Sequence, residues 1–222
     1  MNNLADFVVI IVLLMNLMML SSSRIRTCIK IVAAQGILIG CMPLINDFHI
    51  IALGTIISAS LSIILKGFVF PWLLFRAVQE ANIKKEVVPV GGYPLSLLIG
   101  VIIFALSFWL STRLVYAKPL VSHLAAPVSF ATFFTGAFII VSRMKAISQV
   151  IGYLLLENGV YLFGAAFLSE QSLLVELAIL LDIFVAVFVM GIAIFHINQE
   201  FDHIDTQKLS ELKDSIIANQ DT

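Results

Sequence analysis

Glu157, Glu176 and Asp182 stand inside two long apolar runs, Val150 to Leu168 and Leu173 to His196, and Lys66 stands inside a third. Each run is long enough to cross a bilayer as a helix, which takes about 20 residues. A charged side chain at that depth costs at least ~2.5–3.5 kcal/mol. A carboxyl group in lipid is either neutral or charged beside a cation, and passing between the two states is uptake and release of a proton. Proton or cation transfer across a membrane is therefore the chemistry these residue types offer.

The composition supplies the setting. Of 222 residues, 60% are hydrophobic and 12% charged, and the mean hydropathy is +1.06. These values describe a polytopic membrane protein rather than a soluble domain. A formal charge of −1 gives no reason to expect a nucleic-acid partner. Cys28 and Cys41 fall on one predicted helix about 20 Å apart at 1.5 Å per residue, too far to bond within it. Two thiols are also too few for the usual four-cysteine cluster. No metal-ligand spacing, phosphate-binding glycine loop, nucleophile elbow or dinucleotide motif is present, and no metal site is expected.

Seven spans are predicted: Leu4–Leu20, Cys28–Leu44, Ile50–Phe75, Pro94–Ser111, Ala125–Val141, Ala146–Leu168 and Leu173–Phe195. One alternate set of loops carries Arg24, Arg26, Lys30, Arg76, Lys84, Lys85, Arg143, Lys145, Lys208 and Lys213. The other set carries Arg113 and Lys118. That bias predicts an N-terminus outside and a cytoplasmic C-terminus. The first run lacks a preceding basic region and reads as a retained helix rather than a signal peptide. The expected organisation is a four-helix region over 1–120, a three-helix region over 121–197 and a cytoplasmic tail over 198–222. Leu209, Leu212 and Ile216 give that tail a short amphipathic pattern.

The spans then place the chemistry. Thr55, Ala59, Ser62 and Lys66 share one helical face and suggest a wet path toward the lysine. A small-residue packing seam is the plainer alternative for the hydroxyls. Lys66-Gly67 followed by Pro71 predicts a break beside the lysine, because proline has no N–H for the carbonyl one turn back. Broken helices at membrane depth survive where protein or water satisfies the freed groups. Tyr153, Glu157 and Tyr161 recur at four-residue spacing, so both phenols are expected near the carboxyl. Gly152, Gly159 and Ala166 form a separate stripe that admits a close neighbour. Ala178 and Ala186 flank Asp182 and suggest that it faces another helix. Glu176 falls near a helix start, where the helix dipole alone would suit it. Asn158 serves the site or is one interhelical hydrogen bond. His196 closes the last span on the predicted cytoplasmic side, where a proton could leave.

The run from Ile151-Gly152 through Glu157-Asn158-Gly159, a short turn, and Glu176 through Asp182 to Gly191 resembles the hydrogenase-4 component E family. The likeness extends over most of the chain and includes Lys66-Gly67 and Pro71. It implies a membrane subunit of formate hydrogenlyase-type or related group 4 nickel–iron hydrogenase complexes in a prokaryotic inner membrane. The last three helices resemble the K-type subunit of complex I and the C-type subunit of multisubunit cation/proton antiporters. The likeness implies no cofactor in this chain; the partners implied are antiporter-like and quinone-site-like membrane subunits and cytoplasmic hydrogenase-type subunits, which hold the redox cofactors. Glu157 and Asp182 match the two intramembrane acids of the K-like subunit. The first of those acids stands one helical turn earlier in K-like subunits, at the position of Leu154 here. The expected function is thus a non-catalytic membrane-arm subunit that helps move protons, or sodium ions, through Glu157, Asp182, Lys66 and Glu176. The alternatives are a purely structural bridging subunit of the same complex and an autonomous small-solute or ion transporter. A retinal protein using Lys66 is a further option that the proline break argues against.

Overall fold

The computed structural model describes residues 3–46, 53–80, 92–113, 123–143 and 145–167 of the 222. These residues form helices α1 (Asn3–Ser21), α2 (Ile25–Gly40), α3 (Met42–Asn46), α4 (Leu53–Ile64), α5 (Phe70–Glu80), α6 (Gly92–Ser111), α7 (Ala125–Ser142) and α8 (Ala146–Phe167). A five-residue π-helical segment, Leu65–Val69, joins α4 to α5. Among the described residues, six stretches are long and apolar enough to cross a membrane: Leu4–Ser21, Ile25–Leu44, Ala59–Gln79, Pro94–Ser111, Ala125–Ser142 and Ala146–Gly164. The seventh predicted span, with Glu176, Asp182 and His196, lies outside the described residues, and so does the tail.

The third helical stretch runs further than its apolar pattern suggested, to Glu80 rather than Phe75. In its last turns Arg76 lies over the Trp72 ring, 5.8 Å from its centroid. A long cationic side chain can cover apolar surface while its head reaches outward.

α7 and α8 are an antiparallel pair; α6 and α1 pack onto α7, and α2 and α5 onto α8. Closeness between α7 and α8 comes from glycine. A Cβ on Gly136 would lie 2.4 Å from the Leu156 nitrogen, and one on Gly159 would lie 2.5 Å from the Phe133 nitrogen. Gly152 belongs to the same seam, with Gly136 O at 3.0 Å from its missing Cβ. Two of the three residues of the predicted small stripe therefore face α7.

Two apolar clusters fill the interior, one toward each end. The first centres on Ile29, Val32, Phe70, Leu74, Leu154 and Leu155. The second centres on Val9, Val12, Ile39, Val128, Tyr161 and Leu162. The first lies toward the end where Arg24, Arg26, Lys30, Arg76, Arg143 and Lys145 gather, hereafter the basic end. Outward faces are apolar as well: Phe7, Phe68, Val101 and Val141 are all more than half exposed. A lipid or a partner helix is the solvent such faces suit.

Arg143 fastens the basic end. It is buried at 4% exposure, and its Nη2 donates to Met19 O at 3.3 Å and Ser22 O at 3.2 Å. Those carbonyls close α1, where a cation also meets the negative end of the helix dipole. Arg143→Met should leave them without a donor and cost ~1–3 kcal/mol. A lowered thermal midpoint of the purified protein would show it, and an unchanged midpoint would mean that Arg143 ties nothing.

Candidate functional site

The site is built where α2, the π-helical segment and α8 meet. Gly36 on α2 has no side chain, and the Lys66 stem passes through that gap: a Cβ on Gly36 would stand 2.8 Å from Lys66 Cβ. On the opposite side, Gly67 makes room for Ile37, whose Cγ1 would lie 2.7 Å from an added Cβ. Two helices can therefore approach closely at the level of the lysine.

Pro71 explains the local backbone. It has no N–H to return to the previous turn. The helix neither stops nor opens; it widens, and the Phe70 N–H reaches back five residues to Leu65 O. Such a bulge re-aims the residues within it and loosens the carbonyl ladder. The break predicted from Gly67 and Pro71 thus takes the form of a π-bulge that contains Lys66 itself.

Lys66 Nζ lies 2.6 Å from Glu157 Oε1, and the two side chains are 6% and 2% exposed. Asn158 Oδ1 accepts a longer contact from the same nitrogen at 3.5 Å. The Tyr161 ring stands over the ammonium, 5.1 Å from Nζ to centroid, which adds a cation–π attraction. Tyr161 is the second of the two phenols predicted near the carboxyl. Tyr153 instead packs against the apolar cluster at the basic end. Ala59, Ser62 and Lys66, three members of the predicted polar face, are all buried. His123 is exposed at the start of the α7 region.

Burial of this ion pair is costly. Each ion loses several kcal/mol of hydration, and attraction offsets that only with good geometry and satisfied remaining atoms. Here the remaining atoms are not all satisfied. Glu157 Oε2 and Asn158 Nδ2 are buried without a hydrogen-bond partner among the described residues. The pair is therefore poorly explained as a device for stability alone.

A second group of polar residues occupies the same depth, and the charge pattern of the sequence gave no sign of it. Gln35 Nε2 donates to Asn16 Oδ1 at 3.0 Å, and Asn16 Nδ2 donates to Thr132 Oγ1 at 2.8 Å. All three residues are 0% exposed. They tie α1, α2 and α7 together beside the ion pair, since Gln35 precedes Gly36. Lone amides in the middle of apolar spans were the available signal. Asn16→Leu would strand the Gln35 amide and should cost ~1–3 kcal/mol, read as reduced thermal resistance of the purified protein. A thermal midpoint within error of the parent's would mean the triad adds nothing.

The helical bundle and its central ion pair define a multi-pass membrane protein, and the comparisons with known proteins give its class. Residues 124–214 match the family described as NADH-ubiquinone/plastoquinone oxidoreductase chain 4L, which supports a complex I-related membrane subunit. The matched stretch includes α7 and α8, and hence Glu157. Over 217 residues, 95% of this chain, the sequence is 31% identical to an uncharacterized protein of Mycobacterium tuberculosis, covering 96% of that protein. The chain belongs to the same family as that mycobacterial protein. No solved structure matches.

Proposed function

We propose that this chain is a membrane-arm subunit of a hydrogenase-type, complex I-related complex, of the hydrogenase-4 component E kind. In this reading Lys66 and Glu157 are one station of a proton path through the membrane, or of a sodium path. Asp182 and Glu176, with His196 at the cytoplasmic side, are the further stations the sequence suggests. The observation that carries the proposal is the 2.6 Å contact between two buried ions in the middle of their spans.

The chemistry follows from the geometry. Glu157 is charged while the ammonium sits against it. When a proton arrives, Glu157 becomes neutral and the hold on Lys66 weakens, so the ammonium can turn to Asn158 or to water. A redox step in cytoplasmic partners would bias the exchange, and this chain would contribute no redox centre. Antiporter-like and quinone-site-like membrane subunits would be its neighbours, and the C-terminus would lie on the cytoplasmic side.

Glu157→Gln in the intact complex tests the proposal. Coupled ion translocation per assembled complex should fall at least tenfold. Unchanged translocation in a fully assembled complex would remove Glu157 from the path. A bridging role is the second reading, supported by the exposed apolar faces of α1 and α6. It predicts lost assembly in the same variant, with turnover of whatever complex remains unchanged.

A further inference from the structure

We infer that two tryptophan–arginine pairs, Trp72–Arg76 and Trp109–Arg113, hold phospholipid phosphates of opposite leaflets and so set the Lys66–Glu157 pair at the bilayer midplane. Both tryptophans of the chain are followed by an arginine four residues on. That spacing lets each arginine lie over its own tryptophan. Arg76 Cζ stands 5.8 Å from the centroid of the Trp72 ring, and Arg113 Cζ stands 5.3 Å from that of Trp109. The two indoles are 59% and 55% exposed, and both arginines are exposed.

Each indole continues an apolar surface. Phe68 is exposed one turn before Trp72, and Leu98 and Ile102 are exposed before Trp109. In both columns the charge lies beyond the indole. An apolar column closed by an amphipathic ring and then a guanidinium complements a phospholipid, whose acyl chains end at a phosphate. The planar fork of arginine suits that phosphate, which it can bind through two parallel hydrogen bonds. Its stem meanwhile covers the ring.

The levels of the two pairs follow from the helices. α5 and α7 both finish at the basic end, with Arg76 and Arg143. Unpaired backbone does not cross lipid, so successive spans alternate in direction. α6 therefore runs away from the basic end, and Arg113 lies at the opposite one. Arg76 follows Lys66 by ten residues, about 15 Å at 1.5 Å per residue. On the other side, Gly100 packs against Leu20. Leu20 is about 6 Å nearer the basic end than Asn16, which holds Gln35 beside the level of Lys66. Arg113 stands about 20 Å beyond Gly100, and so about 14 Å past Lys66. The two guanidiniums are thus about 30 Å apart along the bundle, the thickness of a hydrocarbon core, with the ion pair near the middle.

Photo-cross-linking in the intact complex tests this. The photoreactive p-benzoylphenylalanine replaces Trp72 or Trp109, and the complex is reconstituted in equal parts of phosphatidylglycerol and a galactosyl diacylglycerol, which has no phosphate. Both positions should give lipid adducts, with phosphatidylglycerol favoured several-fold. Arg76→Gln should bring the two lipids to parity at position 72 and leave position 109 unchanged, and Arg113→Gln should do the reverse. Each variant is the other's control, so whichever assembles judges the sites. Phosphatidylglycerol confined to one leaflet should enrich adducts at one position only. Adducts to another subunit at either position overturn the lipid-facing assignment. Equal lipid adducts in the parent complex, or a preference that survives loss of the arginine, overturn the phosphate sites. Enrichment at both positions from one leaflet overturns the midplane depth. Lipid binding here needs no proton movement, so the outcome of Glu157→Gln is separate from it.

Discussion

Lys66→Met or Glu157→Gln alone is expected to destabilise the bundle by ~3–5 kcal/mol, the usual cost of stranding one member of a buried ion pair. Both changes together should recover most of that loss. An apolar stem in place of the ammonium and a neutral amide in place of the carboxylate leave no uncompensated charge, and such replacements are often neutral or stabilising. The comparison separates two quantities that a single variant confounds. If the pair serves only as glue, the double variant should assemble and the complex should translocate normally. If the pair is a station in the path, the double variant should assemble and translocate at no more than about a tenth of the parent rate, the minimum effect of losing one positioned proton-transfer group being larger still. Assembly in membranes and thermal midpoint measure the first quantity, and proton or sodium uptake measures the second. Single variants as stable as the parent would show that the two side chains are not paired in the working complex.

Gly136→Ala should be the most damaging single-methyl change. The added carbon would meet backbone on every side: Leu156 N at 2.4 Å, Gly152 O at 2.6 Å and Leu156 Cα at 2.7 Å. Backbone cannot rotate away as a side chain can, so α7 and α8 must separate. Overpacking of this kind costs ~1–3 kcal/mol and occasionally more, and the upper end applies here. Displacement of α8 also moves Glu157, so translocation should fall with stability. Gly100→Ala is the control. Its added carbon meets Leu20 Cδ1 at 2.3 Å, the far end of a flexible side chain, and should cost less than ~1 kcal/mol because that end can turn aside. Equal effects of the two substitutions on the thermal midpoint would refute the close seam.

The helical architecture was readable in the sequence because lipid imposes it. Apolar runs of span length with few charges admit one backbone solution, the helix. Lys66 and Glu157 were readable as single residues because each is expensive where it sits. Their pairing was not, since 91 positions separate them and nothing in helical periodicity links one span to another. Pro71 predicted a disturbance but could not specify its form. A kink, an opening and a π-bulge all accommodate the missing N–H, and the close approaches of Gly36 to Lys66 and of Gly67 to Ile37 accompany the bulge. Asn16, Gln35 and Thr132 do not stand out in the sequence, because uncharged polar residues in a span are cheap enough to be common. Tyr153 and Tyr161 share a helical face in the sequence, but α8 presents only Tyr161 at the depth of the ammonium.

A station at Glu157 must change its protonation as the complex turns over. Infrared difference spectroscopy of the intact complex, recorded between resting and turning-over states, reads this directly. A protonated-carboxyl C=O band should appear during turnover, shift in heavy water and be absent from the Glu157→Gln variant. A difference spectrum with no carboxyl band, or with a band that survives Glu157→Gln unchanged, would contradict it.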